Sequence, residues 1–296
     1  METEHAETTL ATSIKVSEHE LSEIRGLIES RSGILFDDSR ERFFSARVRE
    51  HLEARSLSHG TDLIRLIQNS NVEYDSLLQR LLTQETAFFR YPSVFEALER
   101  KLLPELQTRK FWENPRSLRI WSAGCATGEE AYSIAMTVAG VLEFAEAWNV
   151  HLLATDISRQ ALECAENGVY DARYMGPVSL QQREQYFTRS GNQFVVKPQL
   201  RNMVTFAPMN LAQVVYMGKF DCIFCMNVLI YFSEERRAQL VQRFFDYLEP
   251  GGYLFLGHAE SISRADVKFE THIYRDVQIY QKPASLRRTV AAQERA

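Results

Sequence analysis

Apolar positions along this chain follow two rhythms in succession. Residues 1–16 carry Glu and Thr and little that can pack, which predicts a disordered tail. From Ser17 the apolar residues recur at helical spacing. Leu21, Ile24 and Ile28 follow a Ser17/Glu20 capping-box signature, and Phe44, Val48 and Leu52 come after Asp37 or Ser39. Leu63, Leu66 and Ile67 follow Gly60-Thr61, and Leu77, Leu78, Leu81 and Leu82 close the series. The pattern predicts a small all-helical domain over residues 17–90.

Beyond Leu118 the rhythm changes. Leu118, Ile120 and Trp121 form a short apolar run, Gly124 and Gly128 bracket small residues, and helical spacing resumes at Ala131, Ile134, Ala135 and Val138, in a helix expected to reach about Ala147. That is a buried strand, a tight turn and a helix start. HLLATDIS, residues 151–158, predicts a second buried strand ending at Asp156, and Ser158 to Asn167 a helix. Residues 169–199 break the alternation and predict an insertion, spanning about 170–202, with a small antiparallel hairpin turning at Ser190-Gly191-Asn192. Further strands are expected at 203–208, from Phe220 to Val228, from Tyr253 to Leu256, at 269–275 and from Val277 to Gln281. A helix capped by Ser233 lies between the second and third of these. The second domain thus runs over 91–284, and residues 285–296 read as a polar tail.

Composition narrows the field. The chain has 296 residues, 45% hydrophobic and 25% charged, with a net charge of -5, so a globally basic nucleic-acid surface is absent. The first residues lack a signal-peptide core, and no apolar run approaches the ~20 residues of a spanning helix, so a cytoplasmic protein without membrane insertion is expected. Cys125, Cys164, Cys222 and Cys225 are too few for a disulfide framework. Cys222 and Cys225 form a C-x-x-C, but no second ligand pair exists for zinc, and on a strand the two would face opposite ways. His151, His258 and His272 also lack ligand spacing, so no metal is expected.

The glycine turn carries the first candidate chemistry. Its G-x-x-x-G spacing matches neither a dinucleotide fingerprint nor a Walker loop, and Glu129 and Glu130 stand where a phosphate would rest. Such a turn suits a ligand with a positive group and hydroxyls to donate, as in S-adenosylmethionine; an ordinary α/β turn is the alternative. Asp156, at the end of the second strand, is placed either to accept two ribose hydroxyls or to cap the next helix. The stretch LLTQETAFFRYPSVFEAL, residues 81–98, reads as a linker folded over a ligand, or as a hinge with its aromatics in an interface. On the second helix Arg40, Arg47, His51 and Arg55 align at intervals of seven and four, as a solvated face or as a docking face for an acidic partner.

Taken together, LTQETAFFR, IWSAGCATGEEAYSIAM, ATDIS, the hairpin insertion, CMNVLIYF and GGYLFLGHAES, in this order from about Ser17 to Lys282, resemble the chemotaxis receptor methyltransferases of the CheR type. The resemblance implies a class I S-adenosylmethionine-dependent methyltransferase fold, Rossmann-like with a doubly wound mixed sheet. It also implies a protein-glutamate O-methyltransferase acting on the cytoplasmic helical bundle of chemoreceptors, with S-adenosylhomocysteine as product. Cofactor contacts carry over onto Gln84, Thr86, Arg90, Glu129, Asp156, Asn210, Leu211, Met226 and Asn227. The family usually has Asn in place of Gln84 and Arg in place of Met226, which keeps an amide at the first and loses a charge at the second. Arg90 and Tyr231 lie where the family places residues close to the methyl-transfer point, and Arg40, Arg47 and Arg55 gain weight as a receptor-docking face. Only Thr188 to Gln193 separate Tyr186-Phe187 from Phe194, a short hairpin resembling members that do not grip a C-terminal receptor pentapeptide.

A glutamate carboxylate, with a reference pKa near ~4.3, is already ionised at neutral pH, so the expected reaction requires no general base but does require alignment and exclusion of water. Arg90 is expected to orient the incoming carboxylate and Tyr231 to close the pocket. Two other readings stay open: a methyltransferase of another substrate class, and a catalytically weak cofactor-binding interaction module. No pattern argues for a dimer, so a monomer is expected.

Overall fold

The computed structural model describes residues 16–112, 116–142, 147–213, 215, 217–262 and 265–284. The tails expected at 1–16 and 285–296, Val16 aside, fall outside the described residues, whereas the helix expected to reach Ala147 ends earlier, at Val141, because Leu142 turns to extended backbone at its C-cap. The chain divides into two compact units, Met1–Thr83 and Gln84–Ala296.

The first unit is built of α1 (Glu18–Ser32), α2 (Glu41–Ala54), α3 (Gly60–Asn69) and α4 (Asn71–Leu81). Ser17 and Glu20 form a reciprocal capping box at the start of α1, and Gly33, at φ 76°, ends it in the left-handed conformation that glycine adopts without strain. Ile24, Ile28, Phe44, Val48, Leu52, Leu63 and Leu77 are fully buried and form its core. The basic face of α2 is narrower than its spacing suggests. Arg40 lies in a 3-10 turn (Asp38–Arg40) before the helix and Arg55 at its C-cap. His51 leaves the face altogether: it is fully buried, because it falls one helical turn beyond Val48 on the side that carries Phe44.

In the second unit α5 (Pro92–Ala97), a π-helical turn (Leu98–Leu102) and α6 (Leu103–Lys110) follow one another without a break, with Pro92 opening the helix at a position where no N–H is missed. The strands and helices that follow are β1 (Arg116–Ala123), α7 (Glu129–Val141), β2 (Trp148–Asp156), α8 (Arg159–Asn167), β3 (Val169–Asp171), α9 (Leu180–Tyr186), β4 (Phe187–Ser190) and β5 (Gln193–Val196). After them come α10 (Pro198–Arg201), β6 (Val204–Pro208), β7 (Phe220–Cys225), α11 (Glu234–Tyr247), β8 (Leu248–Leu256), β9 (Glu270–Tyr274) and β10 (Val277–Gln281).

Among the described residues these strands form a seven-stranded sheet in the order β6-β2-β1-β7-β8-β10-β9. Its first five strands are parallel, with Ile120 beside both Leu152 and Cys222, and β10 runs antiparallel to β8 and β9. Side chains alternate between two cores, one on each face: Ile120, Cys222 and Phe224 join Tyr132 and Phe255 on one, while Trp121, Ile223 and Cys225 join Phe244 and Leu254 on the other. Cys222 and Cys225 are therefore buried on opposite faces of β7, where burial raises both thiol pKa values, whereas Cys164 on α8 is exposed.

Other boundaries differ from the pattern reading as well. The insertion is a three-stranded antiparallel sheet, β3-β5-β4, because Val169–Asp171 pairs with β5; three residues are too few to show alternation. β7 stops at Cys225 rather than at Val228, since Asn227 turns to φ 61°. β8 begins at Leu248 and runs through Pro250-Gly251-Gly252, and its register against β7 shifts between Phe220 and Cys222 to take up the turn-prone segment.

Candidate active site

Strand order reverses direction between β1 and β7, and the carboxyl ends of β1, β2, β6 and β7 therefore surround a crevice of the kind that binds ligands in open α/β sheets. The glycine turn after β1 forms its floor. The N–H groups of Gly124 and Cys125 donate to the Thr155 carbonyl at 2.7 and 3.0 Å, which folds the turn onto the end of β2. At Gly128, φ 94°, a Cβ would stand 2.8 Å from Ala165 Cβ and 3.0 Å from the Tyr170 hydroxyl, so this glycine is required both by conformation and by the closeness of α8.

Asp156 closes one wall. Its Oδ1 accepts from the Ser158 N–H at 2.8 Å and its Oδ2 from the Ala126 N–H at 2.9 Å, which aims the carboxylate and leaves each oxygen a further lone pair. The helix cap is Ser158 itself, whose Oγ accepts from the Ala161 N–H at 3.0 Å. The capping role that the sequence leaves open for Asp156 is thus taken by Ser158. Asp156 also holds the next strand end through its carbonyl, which accepts from the Met209 N–H at 2.9 Å, and Asn210 follows with its Oδ1 accepting from the Ala212 N–H. Leu211 is buried beside it.

Glu129 and Glu130 open α7. Glu129 is buried and accepts from the Thr127 hydroxyl at 2.7 Å; Glu130 accepts from the Ser122 hydroxyl at 2.7 Å. Burial raises the pKa of Glu129 and of Asp156, and pushes that of Glu130 up to about 7, with the neighbouring Glu260 adding to the rise and Arg90 opposing it. Residues 118–136 hold one cation, Arg119, whose guanidinium turns away to the Met217 carbonyl. The crevice is an acidic, hydroxyl-accepting site. Its set of acceptor carboxylates fits a cationic ligand bearing hydroxyls, and it is ill suited to a pyrophosphate.

Residues 84–91 form a strap across the carboxyl edge of the sheet. Gln84 Nε2 donates to Ser158 Oγ at 2.9 Å, after β2. Phe88 is fully buried between Tyr170 and Phe187, with ring centroids 4.8 and 5.8 Å away. Phe89, at φ 49°, donates its N–H to Ser133 Oγ on α7 at 3.0 Å. Tyr91 donates its hydroxyl to Asn227 Oδ1 at 2.7 Å, after β7. Thr86 is half-buried within the strap, and Arg90 is exposed, with its guanidinium turned back to the Glu85 carbonyl at 2.5 Å.

The wall opposite Asp156 is the turn after β7. Met226 is buried and Asn227 sits in the left-handed region. Tyr231 is half-buried at the end of a 3-10 turn (Leu229–Tyr231). Three residues without a role in the sequence reading belong to this architecture: Tyr91, Ser133 and Glu260. Glu260 lies in the GHAES segment but bonds to backbone groups some thirty positions away, a relationship with no local signature. Arg40, Arg47 and Arg55 belong to the other unit, where Arg47 pairs with Glu50 at 2.7 Å and Arg55 with Glu73 at 2.8 Å.

The parallel order around β1, the antiparallel β10 beside β8 and the acidic turn at the switch point make this a class I S-adenosylmethionine-dependent methyltransferase fold. Residues 84–277 match the family model described as CheR methyltransferase, SAM binding domain. The chain is 36% identical over 271 residues to the chemotaxis protein methyltransferase of Vibrio parahaemolyticus, covering 88% of this chain and 95% of that one. It is 35% identical over 266 residues to that of Escherichia coli, covering 86% and 89%, and 34% identical over 250 residues to chemotaxis protein methyltransferase 1 of Pseudomonas aeruginosa, covering 81% and 89%. This protein belongs to the CheR methyltransferase family. Solved structures similar to it include the N-methyltransferase NodS of Bradyrhizobium japonicum in complex with S-adenosyl-l-homocysteine, at 15% identity and a TM-score of 0.34, covering 64% of this chain and 88% of that one.

Proposed function

We propose that this chain is a protein-glutamate O-methyltransferase that esterifies glutamate side chains in the cytoplasmic helical bundle of chemoreceptors and so sets signalling adaptation. The observation that carries this reading is the acidic crevice at the β1–β7 switch point, closed by the Gln84–Tyr91 strap, in a chain of this family. S-adenosylmethionine supplies an electrophilic methyl group on a sulfonium when bound. Asp156 and Glu129 accept hydroxyl and amino donors of that cofactor, Gln84, Thr86, Asn210, Leu211, Met226 and Asn227 line its place, and the carboxylates favour its positive charge.

The receptor carboxylate is its own nucleophile, so no side chain has to take a proton from it. Arg90 orients it as a fork-shaped donor once its contact with Glu85 opens, and Tyr231 closes the pocket beside the Asn227 turn. The strap keeps water from the reacting atoms. Recognition of the receptor rests on Arg40, Arg47 and Arg55, whose charge steers an acidic bundle. The hairpin turn between β4 and β5 consists of Gly191 and Asn192, which offers no long loop to hold a C-terminal peptide, and so supports activity that is independent of a tether.

Incubation with a methyl-labelled cofactor and receptor cytoplasmic fragments, with and without the receptor's C-terminal peptide, tests the reading. Base-labile label on receptor glutamates, equal with both fragments and lost in Asp156→Ala, is expected. Cofactor binding without transfer to any receptor fragment would overturn it.

A further inference from the structure

Glu260 follows β8, yet its carboxylate is spent on the turn after β7. Oε2 accepts from the Asn227 N–H at 2.9 Å and from the Gly257 N–H at 2.7 Å, and Oε1 accepts from the Ile230 N–H at 3.2 Å. One carboxylate side chain therefore joins two strand ends through three backbone donors. Asn227 is the residue this junction constrains most. It holds φ at 61°, in the left-handed region that asparagine enters more readily than most non-glycine residues but that its surroundings must still favour. With its N–H fixed by Glu260, its side chain is directed to the strap, where Oδ1 receives the Tyr91 hydroxyl at 2.7 Å. The Tyr91 ring in turn stands edge-on to His258, 5.0 Å between centroids, two residues before Glu260. Gly257 completes the junction: a Cβ there would meet Asn227 Oδ1 at 2.7 Å and Glu260 Oε2 at 2.8 Å.

We propose that Glu260 is a positioning residue of the methyltransferase site, acting through the Asn227 turn and the Tyr91–Asn227 bond to hold the strap closed over the cofactor. The proposal rests on the reading that the crevice binds S-adenosylmethionine. It assigns Tyr91 the part of a latch, whose partner is set by Glu260 rather than by packing alone.

The test is titration of S-adenosylhomocysteine into the full chain and into Glu260→Gln, Tyr91→Phe and the double variant, with receptor turnover and denaturation midpoints measured on the same proteins. Glutamine keeps the shape but turns an N–H2 toward one of the backbone donors, so Glu260→Gln is expected to weaken binding about 10-fold and to lower kcat. Tyr91→Phe is expected to weaken binding about 3-fold, and the double variant to be no weaker than Glu260→Gln alone, because the latch has lost its anchor. Should Glu260→Gln fail to fold, Gly257→Ala, which wedges the same junction from the other strand end, is expected to weaken binding by a similar factor. Binding within twofold of the wild type in Glu260→Gln or Gly257→Ala, even with a lowered denaturation midpoint, would overturn the proposal, as would strictly additive losses in the double variant. A folded wild type that fails to bind S-adenosylhomocysteine would instead overturn the cofactor reading, and this proposal with it.

Discussion

Ser122 donates its hydroxyl to Glu130 at 2.7 Å across the mouth of the glycine turn, and this bond is outweighed by burial, which lifts the Glu130 pKa to about 7. Between the ordinary carboxylate range and that value the folded chain holds a proton that the unfolded chain has released. Stability contributed at this site is therefore present at low pH and is lost as pH rises toward 7. Glu130→Gln removes the slope, and a denaturation midpoint about 2 to 4 °C above wild type at pH 8 is expected. The same ionisation governs ligand choice. A sulfonium favours ionised Glu130 and a neutral thioether does not, so the ratio of S-adenosylmethionine to S-adenosylhomocysteine affinity should climb between about pH 6 and pH 8, and Glu130→Gln should flatten it. Calorimetry at several pH values reads both.

His51 predicts the opposite slope in the N-terminal unit. It is fully buried, and burial followed by the charge of Arg80 lowers its pKa, with Arg55 acting the same way and Glu73, 3.7 Å from Nε2, opposing. The unfolded chain takes up a proton below about pH 6.5 that the folded unit refuses, so stability is lost as pH falls through that range. Intrinsic exchange slows as pH falls, so the readout is the protection factor: that of the α2 amides should decrease from pH 7 to pH 5.5, and His51→Leu should abolish the decrease.

Arg47 allows the docking face to be tested without disturbing the fold. Its ion pair with Glu50 is exposed at both ends, 42% and 46%, and such pairs contribute little to stability. Arg47→Glu is expected to leave the denaturation midpoint unchanged and to lower kcat/KM for receptor about 3-fold to 10-fold, with turnover on receptor falling as salt rises. Stopped-time methylation assays at several salt concentrations measure both effects.

Legibility in the sequence followed the range of the interaction. The β1 strand, its glycine turn and α7 are visible because a run of apolar residues, a pair of glycines and a return to helical spacing are all local. Ser17 and Glu20 are legible as a capping box for the same reason. Spacing alone puts His51 on the basic face, because periodicity reads apolar residues and a buried imidazole sits at a core position without announcing itself. β3 pairs over three residues, and Asn227 turns to positive φ because Glu260 holds it from the far end of β8. Bonds from a side chain to a distant backbone leave no pattern in the chain itself. The strap was legible as a polar loop followed by buried aromatics, but its two fastenings, Gln84 on Ser158 and Tyr91 on Asn227, are matters of tertiary placement.

With Cys125, Cys222 and Cys225 buried, Cys164 is the exposed thiol of the chain. It lies on α8, the helix whose N-cap hydroxyl receives Gln84 from the strap. A maleimide fluorophore would accordingly attach at one place without mutagenesis, close in sequence to the point where the strap is fastened. Its emission, followed in real time while ligand is mixed in, turns a native residue into an optical reporter of opening and closing.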